Sequence, residues 1–227
     1  MLKKIVCISL IVFFYFSARG AFALTYQPMP GDLVSPEGLP SMVKWMLDSS
    51  LSPADWLNQK YDDKNIQEPI NIIIVDNLSS SPDQAKKKLI DAVQSSGYKI
   101  RWGHTSGYQG YIARALYPQL PEEKDNAFSD EPFEIDNNHG RIFGPCFAGG
   151  GYYFIGAFSR EIATLNKQRK HQYGSFNRAR DDFAGKLDKS RIYKIKRFVN
   201  LNNAIVDHPS MTTGDHDGIA VLLIAAK

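Results

Sequence analysis

Cysteine is scarce in this chain, which has only Cys7 and Cys146 among 227 residues. Cys7 lies in an apolar N-terminal segment that we expect to be removed, and a single remaining cysteine cannot form an internal disulfide. A domain of this length can bury a sufficient core without one. We therefore interpret Cys146 as a small buried residue. A reactive exposed thiol or a bridge to another chain is the alternative.

Long apolar runs are missing beyond the N-terminus, where residues 5–16 are almost entirely apolar. This run has the length of a signal-peptide core and is too short to span a bilayer. Lys3 and Lys4 precede it, and Ala21-Phe22-Ala23 follows it with small residues at the positions that a signal peptidase reads. We predict a signal peptide over 1–23 with cleavage after Ala23. The protein would then be secreted or periplasmic, without a transmembrane segment in its mature chain; an uncleaved anchor is the alternative.

An excess of either charge is also missing once this segment is removed. The whole chain has 27 basic and 24 acidic residues. Lys3, Lys4 and Arg19 leave with the segment and no acidic residue does, so the mature chain has 24 of each sign. Overall charge therefore gives no support to nucleic-acid binding, and we predict none.

Catalytic and metal-binding signatures are missing as well. The five histidines form neither a His-Glu-x-x-His nor a His-x-His pair, and the chain has no Gly-x-Ser-x-Gly. "GPCFAGGGYYF" (144–154) lacks the lysine of a phosphate-binding loop. "TTGDHDG" (212–218) resembles a metal loop, but Asp and Gly are also turn residues. We predict no cofactor and no metal from these patterns, and the sequence leaves open whether the protein is an enzyme.

Regular structure is most evident after residue 70. "INIIIVD" (70–76) predicts a strand buried on both faces. A helix capped by Ser81 follows, with Pro82 at its first position, and a second helix begins after Ser175. Further strands are predicted at 98–102, within 140–144 and 149–161, and at 193–200 and 218–226. If the strands that flank the first helix are parallel, they form a right-handed crossover.

Residues 24–69 look different, because proline and glycine are frequent there. We interpret this segment as an N-terminal arm with short helices over 41–50 and 52–61. Residues 118–138 carry seven acidic residues and three prolines, and we expect a solvated loop. The predicted architecture is α+β or α/β, with one domain over 70–227. It would contain a mixed sheet of about five or six strands with packed helices.

Charge is uneven along the second half of the chain. From Arg160 to Arg197 there are twelve basic and four acidic residues. One interpretation is a solvated face that the acidic loop partly balances. The other is a surface that attracts phosphate, an anionic lipid headgroup or an acidic protein. Aromatic residues are not interleaved as a platform for single-stranded nucleic acid requires.

The segment "NNHGRIFGP" (137–145) contains a polar pair of interest. On a strand, residues two apart face the same side, so His139 and Arg141 would project together. Arginine offers a planar fork for carboxylate or phosphate, and histidine can donate or act as acid and base near neutral pH. An internal hydrogen-bond network is the alternative, and so is a nucleophile pair of Cys146 with His139.

The order of these segments resembles the C-terminal domain of LssY-type proteins, which is known from Legionella-like bacteria and is often fused to a PAP2-like membrane phosphatase region. The resemblance covers about 70–226 and runs through "INIIIVD", "SSGYKIRW", "NNHGRIFG", "YYFIGAFSRE" and "NRARDDFAGKL". The membrane region is absent here, and residues 103–136 do not follow the family pattern. Residue by residue, the resemblance implies a site at His139, Arg141, Ser159, His171, Arg180 and Asp181.

We therefore expect an exported binding or interaction protein, related to virulence, that holds an anionic small molecule, a lipid headgroup or an acidic protein at this His/Arg site. The alternative is a hydrolase of a phosphate ester or acyl bond. In that case His139 would act as acid and base, with Ser159 or Cys146 as the nucleophile. The oligomeric state is not predicted.

Overall fold

The computed structural model describes residues 26–164 and 171–226. It contains two α-helices and fifteen strands in these ranges. The helices are α1 (Pro82–Ser95) and α2 (Phe176–Lys189). The strands are β1 (Leu33–Val34), β2 (Met42–Val43), β3 (Asp55–Tyr61), β4 (Lys64–Gln67), β5 (Ile72–Asp76), β6 (Lys99–Trp102), β7 (Gln109–Ile112), β8 (Ala115–Leu120), β9 (Asn126–Ser129), β10 (Asn137–Ala148), β11 (Gly151–Ala163), β12 (His171–Ser175), β13 (Tyr193–Asn200), β14 (Met211–Thr212) and β15 (Ile219–Ala225).

Twelve of these strands form one mixed sheet. Its main path runs β1-β2-β7-β8-β10-β11-β5-β15-β13. Three more strands join at its sides: β12 pairs with β11, β9 pairs with β10, and β6 pairs with β9. The other three strands form a small sheet in the order β14-β4-β3.

Strand β5 lies at the centre of the large sheet, as its continuous apolar sequence predicts. It pairs with β11 antiparallel and with β15 parallel. Ile72 and Ile74 pack into one hydrophobic cluster with both helices, whereas Ile73 and Val75 pack into a second cluster on the opposite face. Because other residues cover both faces of this strand, its sequence does not alternate between apolar and polar residues.

The two helices predicted after residue 70 are confirmed, and so are their caps. The Ser81 hydroxyl accepts from the Gln84 backbone N–H at the start of α1, and the Ser175 hydroxyl accepts from that of Arg178 at the start of α2. The two helices bury their apolar stripes against the same face of the sheet. The loops and the small sheet that surround the site described below therefore lie on the opposite side of the sheet from the helices.

Hairpin β10–β11 is the longest pairing in the large sheet. Its strands meet at a Gly149-Gly150 turn, where both residues have positive φ, at 53° and 84°. Glycine suits such a two-residue turn because it carries no Cβ. A bulge between Phe143 and Cys146 shifts the register, so Gly144-Pro145 lies within β10 and does not form a turn.

The predicted fold class is wrong. The described chain is mainly β, with a 12-stranded sheet and a second sheet of three strands where five or six strands with packed helices were expected. The short helices predicted over 41–50 and 52–61 are replaced by β2, β3 and isolated bridges such as that of Leu47 with Gln109. Most of this segment's apolar residues are buried in tertiary contacts, which override the helical spacing.

One further local prediction also fails. The 118–138 segment is not only a loop, because β9 lies within it and pairs with both β6 and β10. Strands β5 and β6 belong to the same sheet without being neighbours, and the four antiparallel pairings that connect them through β11, β10 and β9 make them parallel, as the predicted crossover requires. The predicted signal peptide falls outside the described residues. Neither described helix has the length and apolar character to cross a membrane.

Candidate functional site

A partly enclosed polar cavity of about 70 Å³ lies over the β10–β11 hairpin. Its walls come from the small sheet, from the loop after β6 and from strands β10, β11 and β12. The lining residues are Trp56, Leu57, Glu68, Gly103, His104, Thr105, His139, Arg141, Glu161 and His171. Six of these ten side chains are histidine, arginine or glutamate, which is an unusual concentration of ionisable groups for a mostly buried space.

The hairpin register places two of these side chains side by side. Asn137 lies opposite Glu161, and His139 lies opposite Ser159. Directly opposed residues in an antiparallel pair share a face, as do residues two apart on one strand. Glu161 and His139 therefore meet on the cavity side, with 3.6 Å between His139 Nε2 and Glu161 Oε1.

The hydrogen bond to Asn137 determines the tautomer of His139. The Asn137 amide nitrogen donates to the Ile135 carbonyl at 3.0 Å and to Glu161 Oε2 at 3.3 Å. Its side-chain oxygen consequently faces His139 Nδ1 at 3.1 Å as an acceptor. Nδ1 therefore carries the proton, and Nε2 presents its lone pair toward Glu161 and the cavity.

His104 enters the cavity from the loop that follows β6. The preceding Gly103 has φ +105°, a conformation that L side chains rarely adopt, and a Cβ there would lie 2.4 Å from the Phe133 ring. The His104 ring stacks on His139, with 4.6 Å between ring centroids. His104 is 6 % exposed, and within the described part of the chain its Nε2 has no hydrogen-bond partner.

Burial keeps these two imidazoles neutral. It lowers the pKa of His104 to about 3, and the Arg141 charge acts in the same direction. Burial also holds the pKa of His139 well below its ordinary value, with smaller effects from His104 and Arg141. Both rings consequently present lone pairs at neutral pH instead of an additional positive charge.

Glu161 is a buried carboxylate with partners on two sides. Besides Asn137, His171 Nδ1 lies 3.3 Å from its Oε2. Burial raises the pKa of Glu161, while His171 and the Asn137 amide oppose that rise. The contacts with Asn137 and His171 converge on Oε2, so Oε1 is the oxygen that faces His139.

Arg141 is 2 % exposed and carries donors that are not used by the protein. Its terminal nitrogen donates to the Thr105 carbonyl at 2.8 Å, and its guanidinium lies 5.0 Å from the centre of the Tyr108 ring. Among the described residues, its Nε has no hydrogen-bond partner and it forms no salt bridge. A buried guanidinium with a spare donor is costly unless an anion completes it.

Glu68 supplies a second carboxyl group to the cavity wall. Burial raises its pKa to about 7, and the nearby charge of Glu161 adds to this rise, whereas Arg141 opposes it. At neutral pH this group is therefore divided between its neutral and charged forms.

The structure brings some of the predicted site residues together and places others elsewhere. His139, Arg141 and His171 line the cavity. Ser159 lies beneath it, 3.5 Å from His139 Nε2, and its hydroxyl accepts from the Trp56 indole N–H at 3.1 Å. Arg180 is engaged in another part of the fold, where it donates to Asp181 at 2.8 Å and to Asp217 at 2.6 Å.

Cys146 also lies away from this site. It is buried in the second hydrophobic cluster, beyond the bulge in β10, together with Phe143 and Ile155. Its interpretation as a small buried residue is confirmed. The pairing of Cys146 with His139 as a nucleophile has no geometric support in this arrangement.

The 212–218 loop is occupied by internal contacts. The Asp215 carboxylate accepts from the hydroxyls of Tyr173 and Ser175 and from the Phe176 backbone N–H. His216 Nε2 lies 2.8 Å from Asn203 Oδ1. This loop closes the start of α2, consistent with the turn chemistry of its sequence.

The basic stretch is partly neutralised by the acidic segment before β10. Arg160 pairs with Asp136 at 3.1 Å, and Lys186 pairs with Asp130 at 3.2 Å. These contacts support the interpretation of a solvated face that the acidic loop balances. Residues 165–170 of the stretch fall outside the described residues.

His104, Glu161 and Glu68 are the cavity residues that sequence reasoning missed. They lie 35, 22 and 71 residues from His139 along the chain, so no short motif contains them. One signal was present: Ser159 and Glu161 alternate on the strand "YYFIGAFSRE", which predicts that the glutamate shares the face of the serine.

A scan of protein-family models and searches of curated proteins and of solved structures find no match to this chain. The resemblance to the C-terminal domain of LssY-type proteins therefore stays a prediction.

Proposed function

We propose that this chain is an exported binding protein that accepts a small anionic group beside Arg141. The observation that carries the proposal is a buried guanidinium with an unused Nε donor that lines a cavity of about 70 Å³. The sequence expectation of a His/Arg site for an anionic ligand leads to the same side chain. Export rests on the predicted signal peptide.

The charge around Arg141 supports this assignment. Glu161 accepts from Asn137 and lies 3.3 Å from His171 Nδ1, and Glu68 is partly neutral near pH 7 because burial raises its pKa to about 7. The two stacked imidazoles are uncharged. An anion at the Arg141 Nε would complete a charge-assisted hydrogen bond, a contact that contributes about 1.5–3 kcal/mol.

The size of the cavity limits the class of ligand. Pockets that enclose a whole drug-sized ligand measure about 300–1,000 Å³, whereas this cavity offers about 70 Å³. A carboxylate or a phosphate group suits this space better than a complete lipid headgroup or the surface of another protein. We therefore assign the anionic end of a small molecule to the cavity, with the rest of the ligand outside it.

Titration calorimetry with inorganic phosphate and with acetate tests this proposal. We expect saturable binding of at least one of these anions at one site. Arg141→Gln should weaken that binding about 10- to 100-fold, as loss of one charge-assisted hydrogen bond implies. Arg160→Gln is the matched control, because Arg160 pairs with Asp136 outside the cavity and should leave the affinity unchanged. Equal affinity in the wild type and in Arg141→Gln would overturn the proposal.

Vesicles that contain phosphatidylglycerol separate the two sources of an anionic group. Binding to free phosphate but not to the vesicles would assign the site to a soluble ligand. Binding to both, with the same loss in Arg141→Gln, would assign it to a lipid headgroup. Binding to vesicles that survives Arg141→Gln would place lipid recognition on another surface.

A hydrolase is the second candidate, on the basis of the contact between Ser159 and His139. Their side chains are 3.5 Å apart, and Asn137 holds the other nitrogen of the imidazole, so serine, histidine and amide form a chain. Ser159 is 1 % exposed and already accepts from Trp56, which gives a substrate no direct path to it. A screen of carboxylic and phosphate esters decides between the candidates. Turnover that disappears in Ser159→Ala would favour the hydrolase.

A further inference from the structure

We propose that the same cavity holds a divalent transition-metal ion, coordinated by His104, His139 and Glu161. One ligand atom of each residue lies within 4.8 Å of those of the other two, and all three side chains are buried. This site is distinct from the anion contact of Arg141, because its donors are two imidazole nitrogens and a carboxylate oxygen.

The distances are close to those that an ion requires. Tetrahedral ions with ligand bonds of about 2.1 Å hold their ligand atoms roughly 3.4 Å apart. The separation of 3.6 Å between His139 Nε2 and Glu161 Oε1 is already near this value. The ligand atom of His104 lies within 4.8 Å of the other two. Because its ring stacks on His139 with an interplanar angle of 26°, the ring must turn as well as shift by roughly 1 Å for its lone pair to reach the ion.

The lone pairs that the ion needs are available. His104 Nε2 is buried, and in the described ranges no hydrogen-bond donor reaches it. His139 Nε2 is the unprotonated nitrogen of its ring, because Nδ1 donates to Asn137. The Ser159 hydroxyl reaches this nitrogen only at the long distance of 3.5 Å, and an ion would displace that contact. Buried nitrogens of this kind are usually satisfied by a protein group, a water, a ligand or an ion, and an ion is the partner that the neighbouring His139 and Glu161 would share.

The surrounding residues have the arrangement that supports metal ligands. Histidine ligands usually donate their second N–H to a carboxylate or an amide oxygen, as His139 does to Asn137. The same Asn137 donates to Glu161 at 3.3 Å, and His171 contacts the Glu161 oxygen that faces away from His139. Asn137 is thus a positioning residue that orients two of the three ligands, His139 and Glu161.

The donor set selects the class of ion. Imidazole nitrogen suits Zn²⁺, Fe²⁺, Co²⁺, Ni²⁺ and Cu²⁺, whereas Mg²⁺ and Ca²⁺ prefer oxygen ligands. Three protein ligands leave at least one position on the ion open for water or an anion. Because Arg141 lines the same cavity, an anion on the open position would lie between the ion and the guanidinium.

Zinc binding to chelator-treated protein is the direct test. Equilibrium dialysis against Zn²⁺, with the metal measured by mass spectrometry, should give about one ion per chain. Mg²⁺ should not be retained under the same conditions. Wild-type protein that retains no Zn²⁺ would overturn the metal site, whatever the outcome of the anion titrations.

Three variants locate the ion. His104→Ala and Glu161→Gln should each weaken Zn²⁺ binding at least about 100-fold, because loss of an outer-shell partner alone costs about 10- to 100-fold. His216→Ala is the matched control, since His216 is equally buried but bonds Asn203 outside the cavity, and its affinity should stay within about twofold of wild type. Equal loss in all three variants would show that Zn²⁺ binds elsewhere or through folding alone, and would reject the site.

The isosteric Glu161→Gln and an optical reading cover the case in which His104→Ala does not fold. Co²⁺ bound to two nitrogens and a carboxylate in a site of low coordination number absorbs visible light much more strongly, and at longer wavelength, than aqueous Co²⁺. This absorption should appear with wild-type protein and with Arg160→Gln, whose side chain pairs with Asp136 outside the cavity, but not with Glu161→Gln. Persistence of the full spectrum in Glu161→Gln would contradict the assignment. Because the Co²⁺ reading needs no added anion, failure of the anion proposal stays distinguishable from failure of the metal site.

Discussion

His139 donates from Nδ1 to the side-chain oxygen of Asn137 across 3.1 Å, and the same amide donates to Glu161 at 3.3 Å. One asparagine thus orients an imidazole and a carboxylate from two adjacent strands. The lone pair of His139 Nε2 is directed into the cavity as a result. Asn137 is therefore central to the site without being a ligand itself.

Asn137→Ala should weaken Zn²⁺ binding by about 10- to 100-fold, the usual cost of removing an outer-shell partner. The reason is that the His139 ring and the Glu161 carboxylate lose their common hydrogen-bond partner. The measurement is Zn²⁺ affinity by competition with a chelator of known affinity, at a pH where the variant is folded.

Asn138→Ala controls for loss of a buried amide in the same strand. Asn138 points to the opposite face and bonds Asp130, so its replacement should leave Zn²⁺ affinity unchanged. Equal losses in the two variants would mean that a general disturbance of strand β10, and not the loss of the His139 hydrogen bond, weakens Zn²⁺ binding.

Gly140 separates the two site residues of β10, and we predict that Gly140→Ala destabilises the fold. A Cβ there would lie 2.4 Å from the Phe158 ring and 2.5 Å from the Ala157 carbonyl oxygen. Overpacking of this kind costs about 1–3 kcal/mol. Gly185→Ala is the matched control, because its Cβ would meet nothing within 4 Å inside helix α2. It should stabilise the protein by about 0.5–1 kcal/mol, as alanine does in helices. Urea unfolding measures both, and a neutral Gly140→Ala would contradict the packing described here.

Glu68 should make the free energy of unfolding fall as the pH rises, which is the opposite of the usual effect of a carboxyl group. Burial raises its pKa to about 7, against 4.5 in an ordinary setting. Between these values the unfolded state releases the proton and the folded state keeps it, so stability falls as the pH rises from about 4.5 to 7. The contribution is at most about 3 kcal/mol. Relative to wild type, Glu68→Gln should become progressively more stable over this range and stay so above pH 7. A constant difference between the two proteins from pH 4.5 to 8 would refute this assignment.

His216 should act in the opposite direction. Burial lowers its pKa to about 4 from 6.5, although Asp217 opposes the shift. The unfolded state therefore binds the proton first as the pH falls, and stability decreases between about pH 6.5 and 4 by at most about 3 kcal/mol. His216→Gln should be less stable than wild type at pH 7.5 but lose less stability on acidification. Denaturant midpoints at pH 7.5 and 5 measure this, and parallel losses in both proteins would argue against a role for His216.

The metal and the anion should bind cooperatively. Without the ion, an anion beside Arg141 also experiences the carboxyl groups of Glu68 and Glu161. An ion on Glu161 reverses that local charge and offers the anion an open coordination position. Phosphate affinity should therefore rise at least about tenfold when the protein is loaded with Zn²⁺. Identical phosphate titrations with and without Zn²⁺ would separate the two sites.

The elements predicted well are those whose stability is local or whose pattern is unbroken. Continuous branched apolar residues are enough to indicate β5, and Ser81 with Pro82 is enough to place the start of α1. The alternation of His139 and Arg141 on one strand face also follows from sequence alone. Both side chains line the cavity as that alternation predicts.

The fold class was beyond these patterns because most of the other strands depend on distant partners. Strands β1, β2 and β14 have two residues each, and no propensity marks such short segments. Met42, Val43, Met46 and Leu47 resemble a helical stripe by spacing, yet they are buried by residues far away in the chain.

The site itself was hidden by a single bulge. Ala148 pairs with Gly151 at the Gly149-Gly150 turn. If the register continued from that pair without a bulge, Arg160 would lie opposite His139. The bulge between Phe143 and Cys146 shifts the partner to Ser159 and brings Glu161 opposite Asn137. A shift of one residue moves every side chain to the other face. Without knowledge of the bulge, the sequence would place Ser159 and Glu161 on the face opposite to His139.

A crystal structure of the protein grown with Zn²⁺ and phosphate, with anomalous data at the zinc edge, would test the metal and anion sites together. We expect one anomalous peak about 2.1 Å from nitrogens of His104 and His139 and from an oxygen of Glu161, with phosphate between the peak and Arg141. A cavity that contains only water, with zinc at surface positions such as His208, would contradict this expectation.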